Sequence, residues 1–166
     1  MRIGKYFVLA EFERSETAAR HGINNRIPDD LVPNVVRIAT VLDVIRALFG
    51  RVRVNSGYRG PEVNARIEGS SDTSAHMWGG AADIILPDCD PAELKACMLW
   101  LAARVRALGV GKFPVTTDAL GLIDQVIWEY GAWIHIGIAP LHQEPRGEIL
   151  CKYQGTGYRP FSDTRG

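Results

Sequence analysis

Apolar residues recur every three or four positions at Leu31, Val35, Ile38, Leu42, Ile45 and Phe49. That spacing predicts one apolar face of a helix of about five turns, with Gly50 as its stop. Val52 and Val54 then alternate with Arg51, Arg53 and Asn55, the period of a half-buried strand. Gly60-Pro61 opens a short helix through about Ile67, with proline at its favoured first position. Glu68 to Thr73 reads as a Gly/Ser/Asp loop, and Ala81 to Leu86 as a buried strand that carries Asp83. Asp90-Pro91-Ala92-Glu93 supplies a cap, a proline and an acid at the start of a helix running to Leu108 and stopping at Gly109. Leu122 to Trp128 and Ala132 to Ile138 read as two strands of a hairpin joined by Glu129-Tyr130-Gly131, with a further strand at Ile149 to Tyr153. A short helical lead-in precedes Ile27, with Ser15 or Thr17 as its cap. The pattern predicts an α+β fold: one domain over residues 1–154, with a lead-in over 1–50 and a small antiparallel sheet carrying helices. Residues 155–166, polar and glycine-rich, read as a poorly ordered tail.

Composition narrows the function classes. The 166 residues suit one core, and an apolar share of 46% is ordinary for a globular chain. Lys+Arg and Asp+Glu are equal at 19 each, so the basic excess of a nucleic-acid binder is missing. No apolar run approaches a membrane span. Glu11, Glu13 and Arg14 interrupt the N-terminal apolar residues too early for a signal-peptide core, so the expectation is synthesis in the cytoplasm. Cys89, Cys97 and Cys151 sit in no paired motif and read as reduced thiols. His21 and His142 match no motif and read as surface residues.

The chemistry concentrates in two segments, Ser74-Ala-His76-Met-Trp-Gly-Gly-Ala-Ala-Asp83 and Trp128-Glu129-Tyr-Gly-Ala-Trp133-Ile-His135. Two imidazoles and one carboxylate form the ligand set of a catalytic zinc site, which keeps its fourth position open. Strand alternation turns Ile134, Ile136 and Ile138 to the core and sends Trp133, His135 and Gly137 the other way. Asp83 inside an apolar stretch needs a metal, a hydrogen bond or an ion pair with an arginine. Mixed imidazole and carboxylate donors suit zinc better than calcium or magnesium. Glu129 stands as a proton carrier or as a solvated hairpin-end acid, with Asp124 as the fallback base. Arg59 is suited to gripping a carboxylate or an oxyanion, or to a structural ion pair. Ser74 and Trp133 are candidate substrate contacts or packing residues.

Ser74, His76, Gly79, Ala81 and Asp83 match the S-x-H-x-x-G-x-A-x-D signature, and Ser56-Gly57-Tyr58-Arg59-Gly60-Pro61-Glu62-Val63-Asn64 is similar to S-G-Y-R-S-P-x-x-N. On these motifs the chain resembles the M15 zinc peptidases, the D-alanyl-D-alanine carboxypeptidase family, over roughly residues 7–150. It is most similar to the subgroup found in phages and prophages. The resemblance implies a hedgehog/DD-peptidase-like fold, zinc held by His76, Asp83 and His135, and Arg59 beside the metal. Many of these enzymes place the catalytic acid three residues before the last histidine, where this chain has Ala132. Glu129 lies six before it, a spacing similar to the hedgehog signalling domain.

The resulting expectation is a monomeric zinc-dependent peptidase, a D,D-carboxypeptidase or endopeptidase, cutting a peptide bond in peptidoglycan stems. Such an enzyme reaches the cell wall after release or as part of a phage particle. The alternatives are a non-catalytic zinc-containing binding module and a virion structural component of the same fold.

Overall fold

The two short helices at the start of the chain each begin on a side-chain hydrogen bond. The computed structural model describes residues 1–108 and 119–162, so the helix stop expected at Gly109 lies outside the described residues. The lead-in forms two helices, α1 (Leu9–Glu13) and α2 (Glu16–His21). Ser15, not Thr17, caps α2 by accepting from the Ala18 N–H at 3.2 Å. Helix α3 (Val32–Phe49) buries Val35, Ile38, Leu42 and Ile45, the face its spacing predicts. It ends at Gly50, whose φ of 86° suits only glycine comfortably.

Strand β1 (Arg53–Ser56) leads to α4 (Pro61–Asn64), three residues shorter than expected. The chain turns away there because Ser70 Oγ donates to the Asn64 carbonyl at 2.7 Å while Asn64 Nδ2 donates to the Ser71 carbonyl. A 3-10 turn, Ala75–Trp78, precedes strand β2 (Ala81–Ile85). Helix α5 (Pro91–Leu108) starts with reciprocal bonds of 2.8 Å between Asp90 and Glu93. A hairpin of β3 (Ile123–Glu129) and β4 (Trp133–Ile138) follows, then β5 (Glu148–Lys152) and β6 (Arg159–Pro160).

These strands form one sheet among the described residues, in the order β1-β2-β4-β3-β5-β6. The sheet is mixed, which corrects the expected all-antiparallel arrangement: β3 and β5 run parallel. The return from β4 to β5 is fixed by Asp124, whose Oδ1 accepts from the Arg146 N–H at 2.7 Å and whose Oδ2 accepts from its guanidinium. The ordered chain also continues past residue 154. Arg159 pairs with Cys151, and Phe161 is buried and its N–H donates to the Ile149 carbonyl, so this segment is tied to the sheet edge although most of its residues are exposed. A single phenylalanine is enough to anchor an otherwise polar segment.

One face of the sheet meets α3 and α5. Ala82, Ile84, Val126, Ile134 and Ile136 are fully buried there. Each buried isoleucine contributes roughly 1.5–3 kcal/mol. Slipping β4 by one residue would expose Ile134, Ile136 and Ile138 together, so the core pins the register. The opposite face is thereby fixed too, and it carries Ser56, Asp83, His135, Ile127 and Leu150 in one row across five strands. No helix among the described residues is long and apolar enough to cross a membrane.

Candidate active site

The register that buries the isoleucines puts Asp83 directly opposite His135 across β2 and β4. His76 arrives from the 3-10 turn, whose closure by Gly79 in the left-handed region bends the chain back into β2. Gly80 follows beneath the Trp78 ring, where any Cβ would collide with the indole. Three donor atoms converge. His76 Nε2 lies 3.2 Å from His135 Nδ1 and 3.3 Å from Asp83 Oδ1, and His135 Nδ1 lies 2.8 Å from Asp83 Oδ1.

Two of the three donors, His76 and Asp83, are held by a partner behind them. His76 Nδ1 donates to the Gly57 carbonyl at 2.6 Å, which leaves Nε2 with its lone pair toward the cluster. Gly57 can take this place only without a side chain, since a Cβ would fall 2.6 Å from the Phe12 backbone. Asp83 Oδ2 accepts from Arg59 Nη2 at 2.5 Å, and Arg59 Nε donates to Ser56 Oγ at 2.8 Å. Asp83 is therefore divided, with Oδ2 on arginine and Oδ1 in the cluster.

Burial pushes the His76 imidazole below its ordinary pKa and keeps it neutral. Burial alone would raise Asp83, but His76 and His135 hold its carboxyl well below the usual carboxylate range. A neutral imidazole and an ionised carboxylate are the forms a metal needs. Zinc bonds of about 2.0–2.1 Å in a tetrahedron place ligand atoms roughly 3.3 Å apart. The separations of 2.8–3.3 Å fit that edge after small outward shifts, so the donor set suits zinc. These three residues form the group able to hold a metal among the described residues.

The cluster lines a cleft of about 430 Å³. Glu129 lines the same cleft from the end of β3, with Oε2 accepting from the Trp133 indole N–H at 2.9 Å. Burial, and then the negative charge of Asp83, raise its carboxyl above the ordinary glutamate range. Ser74, Arg59 and Trp133 also line the cleft, so every residue singled out for chemistry is brought together except Asp124. Asp124 is committed to Arg146 and is not a cleft residue, which removes it as the fallback base. Arg59 is engaged by Asp83, the ion-pair role weighed from sequence. His21 and His142 are exposed, and all three cysteines are free thiols.

Sequence reasoning missed Gln125, Tyr130, Lys152 and Tyr158, which also wall the cleft. Strand alternation from Glu129 carries the signal for Gln125. Lys152 becomes visible only once β5 is paired in parallel with β3. Residues 5–115 match the family model described as Peptidase M15. The match ends before β3, so Glu129 and His135 lie beyond it. No curated protein and no solved structure matches the chain.

Proposed function

The chain belongs to the M15 peptidases, and from that premise we propose that it is a zinc-dependent peptidase hydrolysing a peptide bond in peptidoglycan stem peptides. The observation that carries this reading is the convergence of His76 Nε2, Asp83 Oδ1 and His135 Nδ1 inside a cleft that also holds Glu129. Zinc, when bound by those three residues, supplies a Lewis acid that polarises the scissile carbonyl and acidifies water.

The chain's own residues supply the rest. Glu129 takes a proton from the attacking water, whose oxygen forms the new bond to the carbonyl carbon. The same carboxyl then delivers the proton to the leaving amine as the C–N bond breaks. Burial, which raises its pKa, brings it nearer to the value at which one group can both accept and release a proton. The Trp133 indole holds one carboxylate oxygen and leaves the other for the proton. Arg59 fixes Asp83, and Ser74, which lines the cleft, serves as a substrate contact in this reading. The stem-peptide substrate and an origin in a phage or prophage lysis enzyme rest on the motif resemblance. In this reading the protein acts as a monomer on the wall, after release or within a phage particle.

The test is turnover of defined stem peptides by the zinc-loaded protein, with and without chelator. Glu129→Gln should keep zinc and lower turnover by roughly 10²–10⁴-fold. Chelator-sensitive cleavage that survives Glu129→Gln would assign the proton to another group. Absence of any cleavage by the unmodified protein would favour the non-catalytic binding module instead.

A further inference from the structure

Three fixed cations line the cleft among the described residues: Arg59, Arg146 and Lys152. Two are already neutralised. Arg59 grips Asp83, and Arg146 spans Asp124 and Glu148. Lys152 forms no salt bridge among the described residues; it feels the Glu129 carboxylate only through the field and hydrogen-bonds to Tyr158. It stands in register with Glu129 on the neighbouring strand and so shares the cleft face of the sheet.

Its surroundings are aromatic. The Lys152 Nζ lies 4.7 Å from the Tyr158 ring centre and 6.0 Å from that of Tyr130. Ring faces hold an ammonium without using its hydrogen-bond donors on an anion. Tyr130 sits at φ 55°, in the left-handed region that a hairpin turn usually gives to glycine or asparagine. That backbone is fastened to β5 by the Tyr130 N–H, which donates to the Lys152 carbonyl at 2.8 Å. A tyrosine kept in an unfavourable conformation beside a lysine that Tyr158 hydrogen-bonds and Glu129 attracts, but that no carboxylate grips in a salt bridge, points to use of both. Tyr130 and Tyr158 are 41% and 53% exposed, so an incoming ligand can reach the ammonium between them.

We propose that Lys152, framed by Tyr130 and Tyr158, is the subsite for a carboxylate of the substrate peptide. This rests on the peptidase reading and sets its substrate class: a peptide with a free carboxylate close to the scissile bond. Two strand spacings and a two-residue rise separate Lys152 from His135, roughly 12 Å between Cα atoms. With both side chains reaching into the cleft, a carboxylate on Lys152 lies about one or two residues from the bond over the His–Asp–His cluster. A stem peptide offers that carboxylate from two sources, its C-terminus or a side branch.

The test uses the zinc-loaded full chain and three stem peptides: one with both carboxylates free, one amidated at the C-terminus, one amidated on the side branch. One of the two amides should lower kcat/KM by at least ~10-fold in the unmodified protein, as loss of a charged hydrogen bond does. Which amide does so identifies the source. Lys152→Met and Lys152→Gln should bring that ratio close to one, and Lys152→Arg should keep part of it. Equal cleavage of all three peptides by the unmodified protein would overturn the proposal. So would full discrimination in both neutral variants. If none of the peptides is cleaved, the peptidase reading fails. Equilibrium titration of the metal-free protein with the same peptides then decides the subsite. The free acid should bind at least ~10-fold more tightly than one amide, and only when Lys152 is present. Equal binding would refute it.

Discussion

Trp133→Phe isolates the control that this site exerts on Glu129, the proposed proton carrier. The indole N–H donates to Glu129 Oε2 at 2.9 Å, and phenylalanine keeps a ring but removes the donor. Hydrogen bonds to charged groups contribute about 1.5–3 kcal/mol. This bond favours the ionised carboxylate, so it opposes the upward pull of burial and of Asp83. Its loss should therefore raise the Glu129 carboxyl further. Glu129 must be ionised to accept a proton. The acidic limb of the kcat/KM profile should therefore move to higher pH, while the plateau rate changes little. The assay is hydrolysis of one stem peptide across pH 4–9 at saturating zinc, in parallel for the unmodified protein and the variant. A limb that stays in place, with the same plateau, would refute the reasoning, because the limb would then report a group that Trp133 does not touch.

Two further outcomes follow from the buried groups. Arg59→Ala should destabilise the metal-free protein by about 3 kcal/mol, the lower end for breaking a buried pair, because Asp83 keeps His135 as a partner. Urea denaturation with chelator present measures this, and Arg59→Lys should recover only part, since lysine cannot bridge Asp83 and Ser56 in one plane. Burial pushes the Cys97 thiol up to about 12. The unfolded chain ionises near 8.5, so the folded state loses stability as pH rises above that value, by up to about 1.4 kcal/mol per unit until about pH 12. Cys97→Ala should flatten this slope in denaturation curves between pH 9 and 11, and an unchanged slope would exclude the thiol as its source.

Where the sequence carries its own periodicity, it was legible. The three-and-four spacing of α3 and the alternation around His135 both follow from which residues avoid water, and the second sets the direction of a ligand. The Asp90–Glu93 helix start is equally local. What could not be read locally are choices between distant partners. Arg59 selects Asp83, 24 residues on, only after the strands have paired. The parallel placement of β5 depends on the Asp124–Arg146 clamp, across 22 residues. Lys152 was overlooked for the same reason, because its neighbour Glu129 lies on another strand. Phe161 was a visible apolar residue in the tail, but its burial required an edge of the sheet to receive it.

The row of donors across β2 and β4 also bears on the order of folding. His76 and Asp83 are close in sequence, but His135 lies 52 residues beyond Asp83 and joins them only when β4 pairs with β2. Closing a loop of that length costs about 3–4 kcal/mol beyond a constant term, so this pairing is a late and expensive contact. A collapsed chain lacking it has only two of the three donors and holds zinc weakly. Metal affinity therefore rises with completion of the central sheet, and by linkage each decade of free zinc above the dissociation constant adds about 1.4 kcal/mol to the folded state. In the proposed reading, an ion held there for the chemistry would also act as a clasp on the longest-range strand pairing in the molecule's centre, so that a chain competent to cut would be, by construction, one that has finished folding.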